Sequence, residues 1–74
     1  MSVFGNNLRR IREEAGLLQE DLAARAMVPR SMISQWETGA RARHHPHIRT
    51  LHRLAAALGC LEQDLISPPG PETV

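Results

Sequence analysis

The chain contains no lysine, no tyrosine, one tryptophan, one phenylalanine and one cysteine. A lone cysteine rules out an intrachain disulfide and a cysteine-built zinc site. Small secreted domains usually depend on several bridges, so a cytoplasmic location is expected. One Trp and one Phe cannot form the stacking platform with which RNA and single-strand binders hold bases. No apolar run approaches the roughly 20 residues of a membrane-spanning helix, and no signal-peptide core opens the chain. Acid–base pairs, nucleophile–histidine groupings and glycine-rich phosphate loops are also missing. Neither an enzymatic activity nor a cofactor is expected.

What remains is rich in leucine, alanine and arginine. The 74 residues suffice for one small domain. With so few β-branched and aromatic residues, an all-helical domain is the natural outcome. A net charge of +1 offers little general attraction to a polyanion, but the charges are unevenly placed. Between Arg25 and Arg53 stand Arg25, Arg30, Arg41, Arg43, Arg49 and Arg53 against Glu37 alone, a local balance of +5. The other acids lie outside this stretch, at Glu13, Glu14, Glu20, Asp21, Glu62, Asp64 and Glu72. Local field, not global charge, draws a polyanion.

Apolar spacing divides the chain into five helices. Phe4, Leu8, Ile11 and Ala15 make one face of a first helix, with Ser2 as N-cap and Gly16 as stop. A second helix runs from Gln19 to Ala26, with Glu20 and Asp21 at its positive end. Leu18 stands before it, where Ser, Thr or Asn would cap better. Met27-Val28-Pro29 forms a turn, and a third helix spans Arg30 to Thr38 before Gly39. After an Arg/His loop from Ala40 to His45, Pro46 opens a fourth helix. Its inward residues are Ile48, Leu51, Leu54, Ala55 and Leu58, and Gly59 closes it. A short fifth helix covers Glu62 to Ile66. The tail Ser67-Pro-Pro-Gly-Pro cannot continue a helix. Residues 1–66 are therefore expected to form one folded unit around a single core, and 67–74 a flexible Pro-rich tail.

The middle of this pattern is the most specific. Leu22, Ala23, Ala26, Val28, Ile33 and Trp36 fall on inward positions, while Arg30, Ser31, Ser34 and Gln35 point outward. Two short helices so arranged about a tight turn make a helix-turn-helix, whose second helix enters the DNA major groove. The Gln35 amide suits adenine N6 and N7, and Arg30 suits either guanine or phosphate. Ser31 and Ser34 are small enough for close approach and base contact. Four words carry a resemblance. They are Leu8-Arg-Arg-Ile-Arg-Glu-Glu-Ala-Gly-Leu17, Gln19-Glu-Asp-Leu-Ala23, Ile33-Ser-Gln-Trp-Glu-Thr-Gly39, and Pro46-His-Ile-Arg-Thr-Leu-His-Arg-Leu-Ala-Ala-Ala-Leu-Gly59. From Phe4 to Ile66 the chain resembles the phage-repressor (Cro-like, XRE-type) helix-turn-helix family.

That resemblance implies an all-α, lambda-repressor-like fold and a set of roles. Gln19 matches the phosphate-anchoring glutamine. Arg30, Ser31, Ser34 and Gln35 match the base-facing positions of the recognition helix. Arg12 and Glu37 match an ion pair tying the first helix to the third. Arg41 and Arg43 fall in a loop that grips backbone phosphates in relatives. The chain departs from the family at Met27, where glycine is usual, and at Leu18, where a capping serine is usual. Its loop from Gly39 to Pro46 is also longer than the common form.

The implied function is sequence-specific binding of double-stranded DNA by a transcriptional regulator, with repression the expected role. One helix-turn-helix reads too few base pairs for genomic specificity, so a homodimer on a palindromic operator is expected. Cys60, Leu61, Leu65 and Ile66 are the expected dimer surface, having more apolar side chains than a short terminal helix buries alone. The alternative is an antitoxin-like protein-interaction module, which would call for a longer extension than Ser67 to Val74. His44, His45, His47 and His52 have no cysteine or carboxylate at ligand spacing, so no metal site is expected. Trp36 is read as core, and Cys60 as a small buried hydrophobe.

Overall fold

Five α-helices make up the regular structure: α1 (Val3–Glu14), α2 (Gln19–Ala26), α3 (Arg30–Thr38), α4 (Ile48–Leu58) and α5 (Glu62–Ile66). The computed structural model describes residues 3–39 and 46–68, and no strand occurs among them. Ser2, Arg41, Arg43, His44, His45 and residues 69–74 of the expected tail lie outside the described residues.

Each helix stops and starts for a local reason. At the end of α1, Leu17 N–H donates to the Arg12 carbonyl at 3.1 Å and Gly16 N–H to that of Glu13 at 3.0 Å. This paired closure needs a left-handed residue, and Gly16 supplies it at φ 74°. At the end of α2 the same conformation falls on Met27, φ 60° and ψ 45°. It is the one non-glycine residue with positive φ among those described. Leu18 cannot cap α2 with its side chain, but Asp21 compensates by accepting from the Leu18 N–H at 3.0 Å. Asp64 does the same for Leu61 at the start of α5, again at 3.0 Å.

The fourth helix begins later than expected. Pro46 lies outside it, and His47 is its N-cap, with Nδ1 accepting from the Arg49 N–H at 3.3 Å. Ile48 therefore occupies the first helical position, past the end of the packed face. It is 68% exposed rather than inward. Leu58 is half-buried, and Ala15 is exposed in the turn that closes α1.

The core is formed as α1 packs on α3 and α5, α2 on α3 and α4, and α4 on α5. Phe4, Leu8, Leu22, Ala23, Ala26, Ile33, Trp36, Leu51, Leu54, Ala55 and Leu65 are buried in it. The Phe4 and Trp36 rings meet edge to face, centroids 5.4 Å apart at 82°. Trp36 is thus a core residue. Leu65 is fully buried as well, so it belongs to the protomer interior and not to an outer surface.

Two polar ties fix helices that apolar packing alone would leave free to slide. Asn7, buried in α1, donates from Nδ2 to the carbonyls of Leu65 at 3.0 Å and Ser67 at 2.7 Å. These are carbonyls at the end of α5 that the helix itself cannot satisfy. Arg53 of α4 donates from Nε to the Ala26 carbonyl at 3.1 Å, placing its positive charge at the C-terminal end of α2.

Candidate nucleic-acid interface

The α2–turn–α3 unit is held at its base by Arg12. Its Nε donates to Glu37 Oε2 at 2.8 Å and its Nη2 to Glu37 Oε1 at 2.9 Å, a two-pronged fork. The third guanidinium nitrogen, Nη1, donates to the Leu17 carbonyl at 2.7 Å. One side chain thus joins the last turn of α1, the α1–α2 connection and the last turn of α3. Both partners are buried, with side-chain exposures of 10% and 3%. The hydrogen bond to Glu37 holds the guanidinium above the ordinary arginine value, against the opposing effect of burial.

Gln19 joins the same cluster. Its Nε2 donates to Glu37 Oε1 at 3.0 Å, linking the first residue of α2 to the end of α3. Nothing in the spacing of apolar residues signals this bond, because both partners lie at helix ends.

With Ile33, Trp36 and Glu37 turned inward, α3 presents Arg30, Ser31, Ser34 and Gln35 on its other sides. Arg30 and Ser31 are exposed on the first turn, and Ser34 and Gln35 are half-buried one turn later. Met32 is half-buried against the core. The described arginines of the basic stretch, Arg25, Arg30, Arg49 and Arg53, are all exposed, while its one acid, Glu37, is neutralised by Arg12. The local excess of positive charge is therefore real at the surface.

Of the residues expected at a dimer surface, Leu61 is 68% and Ile66 49% exposed. Cys60 is half-buried, and burial, followed by the nearby Asp64 charge, pushes its thiol pKa up. The described histidines serve structure: His47 caps α4, and His52 Nδ1 lies 2.8 Å from Glu62 Oε2, bridging α4 to α5. Among the described residues no group of His, Cys, Asp and Glu is arranged to hold a metal ion, and no helix is long and apolar enough to cross a membrane.

The helix-turn-helix family model matches residues 8–65, most of the chain. The chain belongs to the XRE-type helix-turn-helix family. As a member it is a DNA-binding transcriptional regulator and not an enzyme. The chain is similar to an uncharacterized HTH-type transcriptional regulator, y4dJ, of Sinorhizobium fredii. The two are 39% identical over 66 residues, covering 89% of this chain and 82% of that one. Two solved structures are also similar. The restriction-modification controller protein C.AhdI of Aeromonas hydrophila has a TM-score of 0.75 and 31% identity, over 86% of this chain and 92% of that one. The hypothetical transcription factor NHTF of Neisseria has a TM-score of 0.79 and 32% identity, over 92% and 75%. This regulator therefore shares its five-helix fold with transcription regulators.

Proposed function

We propose that this helix-turn-helix regulator is a repressor that binds a palindromic operator as a homodimer. Arg30, Ser31, Ser34 and Gln35 read base edges in the major groove, with Gln35 on adenine and Arg30 on guanine or phosphate. Gln19 and the N-terminal end of α2 hold a backbone phosphate, and Arg41 and Arg43 hold others. The second chain meets the first through Leu61 and Ile66, with Cys60 beside them.

The single observation supporting this most is the two-sidedness of α3. One side is fixed by Ile33, Trp36 and the Arg12–Glu37 fork, while exposed Arg30 and Ser31 and half-buried Ser34 and Gln35 occupy the other. A helix held rigidly and carrying short polar and forked side chains suits insertion into a groove.

In vitro selection from a random duplex library tests the reading. Enrichment of a palindrome with half-sites about 34–36 Å apart, or a multiple of that, is expected. Sedimentation should then find two chains on each selected duplex. A library that stays random, or a single chain on the selected site, would contradict the proposal.

A further inference from the structure

Glu37 is an acid at the end of the helix proposed to enter DNA. By charge alone it should weaken attraction to a polyanion. Its hydrogen bonds suggest another part. Oε1 accepts from both Arg12 Nη2 at 2.9 Å and Gln19 Nε2 at 3.0 Å, while Oε2 accepts from Arg12 Nε at 2.8 Å. With its side chain 3% exposed and its charge matched by the guanidinium, Glu37 offers its surroundings a fixed acceptor more than a free negative charge.

The occupant of that acceptor is Gln19, half-buried at the start of α2. An ionised carboxylate can only accept, so it is the NH2 end of the glutamine amide, not its oxygen, that faces Glu37. The amide nitrogen carries a second hydrogen, which the bond to Glu37 leaves available for donation. Glutamine also loses much rotamer freedom when it is fixed. Here it is fixed before any DNA arrives.

We propose that Glu37 is a positioning residue for DNA binding, acting through Gln19. The relay Arg12–Glu37–Gln19 holds the amide nitrogen oriented to donate to a phosphodiester oxygen, and Arg12 removes the repulsion that an unpaired carboxylate would exert there. This inference rests on the reading of α2 and α3 as the DNA-facing pair.

The test measures affinity of the full chain for the selected duplex over a range of salt concentrations. Glu37→Gln removes a negative charge, so charge alone predicts tighter binding. The relay predicts roughly tenfold weaker binding, because one amide oxygen cannot serve Arg12 and Gln19 as two carboxylate oxygens do. Gln19→Met keeps the fork and removes the donor. It should weaken binding similarly without changing the salt slope, since a neutral amide displaces no counterion. In the Gln19→Met background, Glu37→Gln should weaken binding no further.

Tighter or unchanged binding by Glu37→Gln overturns the relay, and so does equal weakening in both backgrounds, which assigns Glu37 to folding alone. If circular dichroism finds Glu37→Gln unfolded, Gln19→Asn decides. Its shorter amide keeps the chemistry but loses the reach to Glu37, so it should bind as poorly as Gln19→Met; wild-type affinity overturns the proposal. A wild-type chain that prefers no duplex would remove the DNA reading and the relay together. A binding wild type indifferent to Glu37→Gln removes the relay alone.

Discussion

Arg12 and Glu37 lie 25 positions apart in the chain and meet through two hydrogen bonds of 2.8 and 2.9 Å, both side chains buried. Removing one partner strands the other charge, at a cost of about 3–5 kcal/mol. A core of this size rarely supplies more than about 3–5 kcal/mol in total. Arg12→Ala should therefore leave the chain largely unfolded at 25 °C by circular dichroism. A melting point within a few degrees of wild type would contradict the assignment. Because the arginine pKa is raised in the fold, this stabilisation is fully present below the ordinary arginine value. On the arginine side it is lost as pH rises through the raised one.

Asn7 is the second polar anchor. Asn7→Ala leaves the Leu65 and Ser67 carbonyls without their donor and should cost about 1–3 kcal/mol in chemical denaturation. Asn7→Asp should cost more at neutral pH, since a carboxylate would then face two carbonyl oxygens. Equal stability of Asn7→Asp and wild type would show that these bonds do not hold α5.

Much of this fold was legible in the sequence. The four-three spacing of Phe4, Leu8 and Ile11 and the stop at Gly16 reflect helix geometry alone, and so do the inward positions of α2 and α3. What was not legible depends on contacts between elements distant in the chain. Asn7 reads as an ordinary polar residue until α5 folds back onto it. Arg53 reads as surface charge until its bond to Ala26 is seen. Ile48 matched the helical period but stood at the wrong end of it, because His47 and not Pro46 sets the start of α4. Leu65 looked spare on a five-residue helix, yet α1 and α4 pack against that helix. In the interface, the outward set on α3 followed from periodicity. The bond between Gln19 and Glu37 did not, since its partners lie at the ends of different helices.

Met27 adopts the left-handed conformation that glycine takes without cost, and the residue is 78% exposed. Met27→Gly should relieve about 1 kcal/mol of backbone strain while losing little packing. The melting temperature should rise by about 4–8 °C. An unchanged or lower value would mean that the methionine side chain stabilises the turn in a way that its exposure does not suggest.

Burial raises the Cys60 thiol pKa, with Asp64 adding to the effect, so the reactive thiolate is disfavoured. Alkylation at pH 8 should be slower in the native chain than in the urea-unfolded chain. Asp64→Asn should speed the native reaction. Native labelling as fast as unfolded labelling would place the thiol in open solvent.

Base reading by the outward side of α3 is tested by repeating the duplex selection with Gln35→Ala. Preference should be lost at one position, symmetrically in each half-site, worth about 1–3 kcal/mol, with the other positions and the half-site spacing retained. An unchanged sequence profile, or a uniform loss of affinity across all sequences, would contradict base reading by this helix.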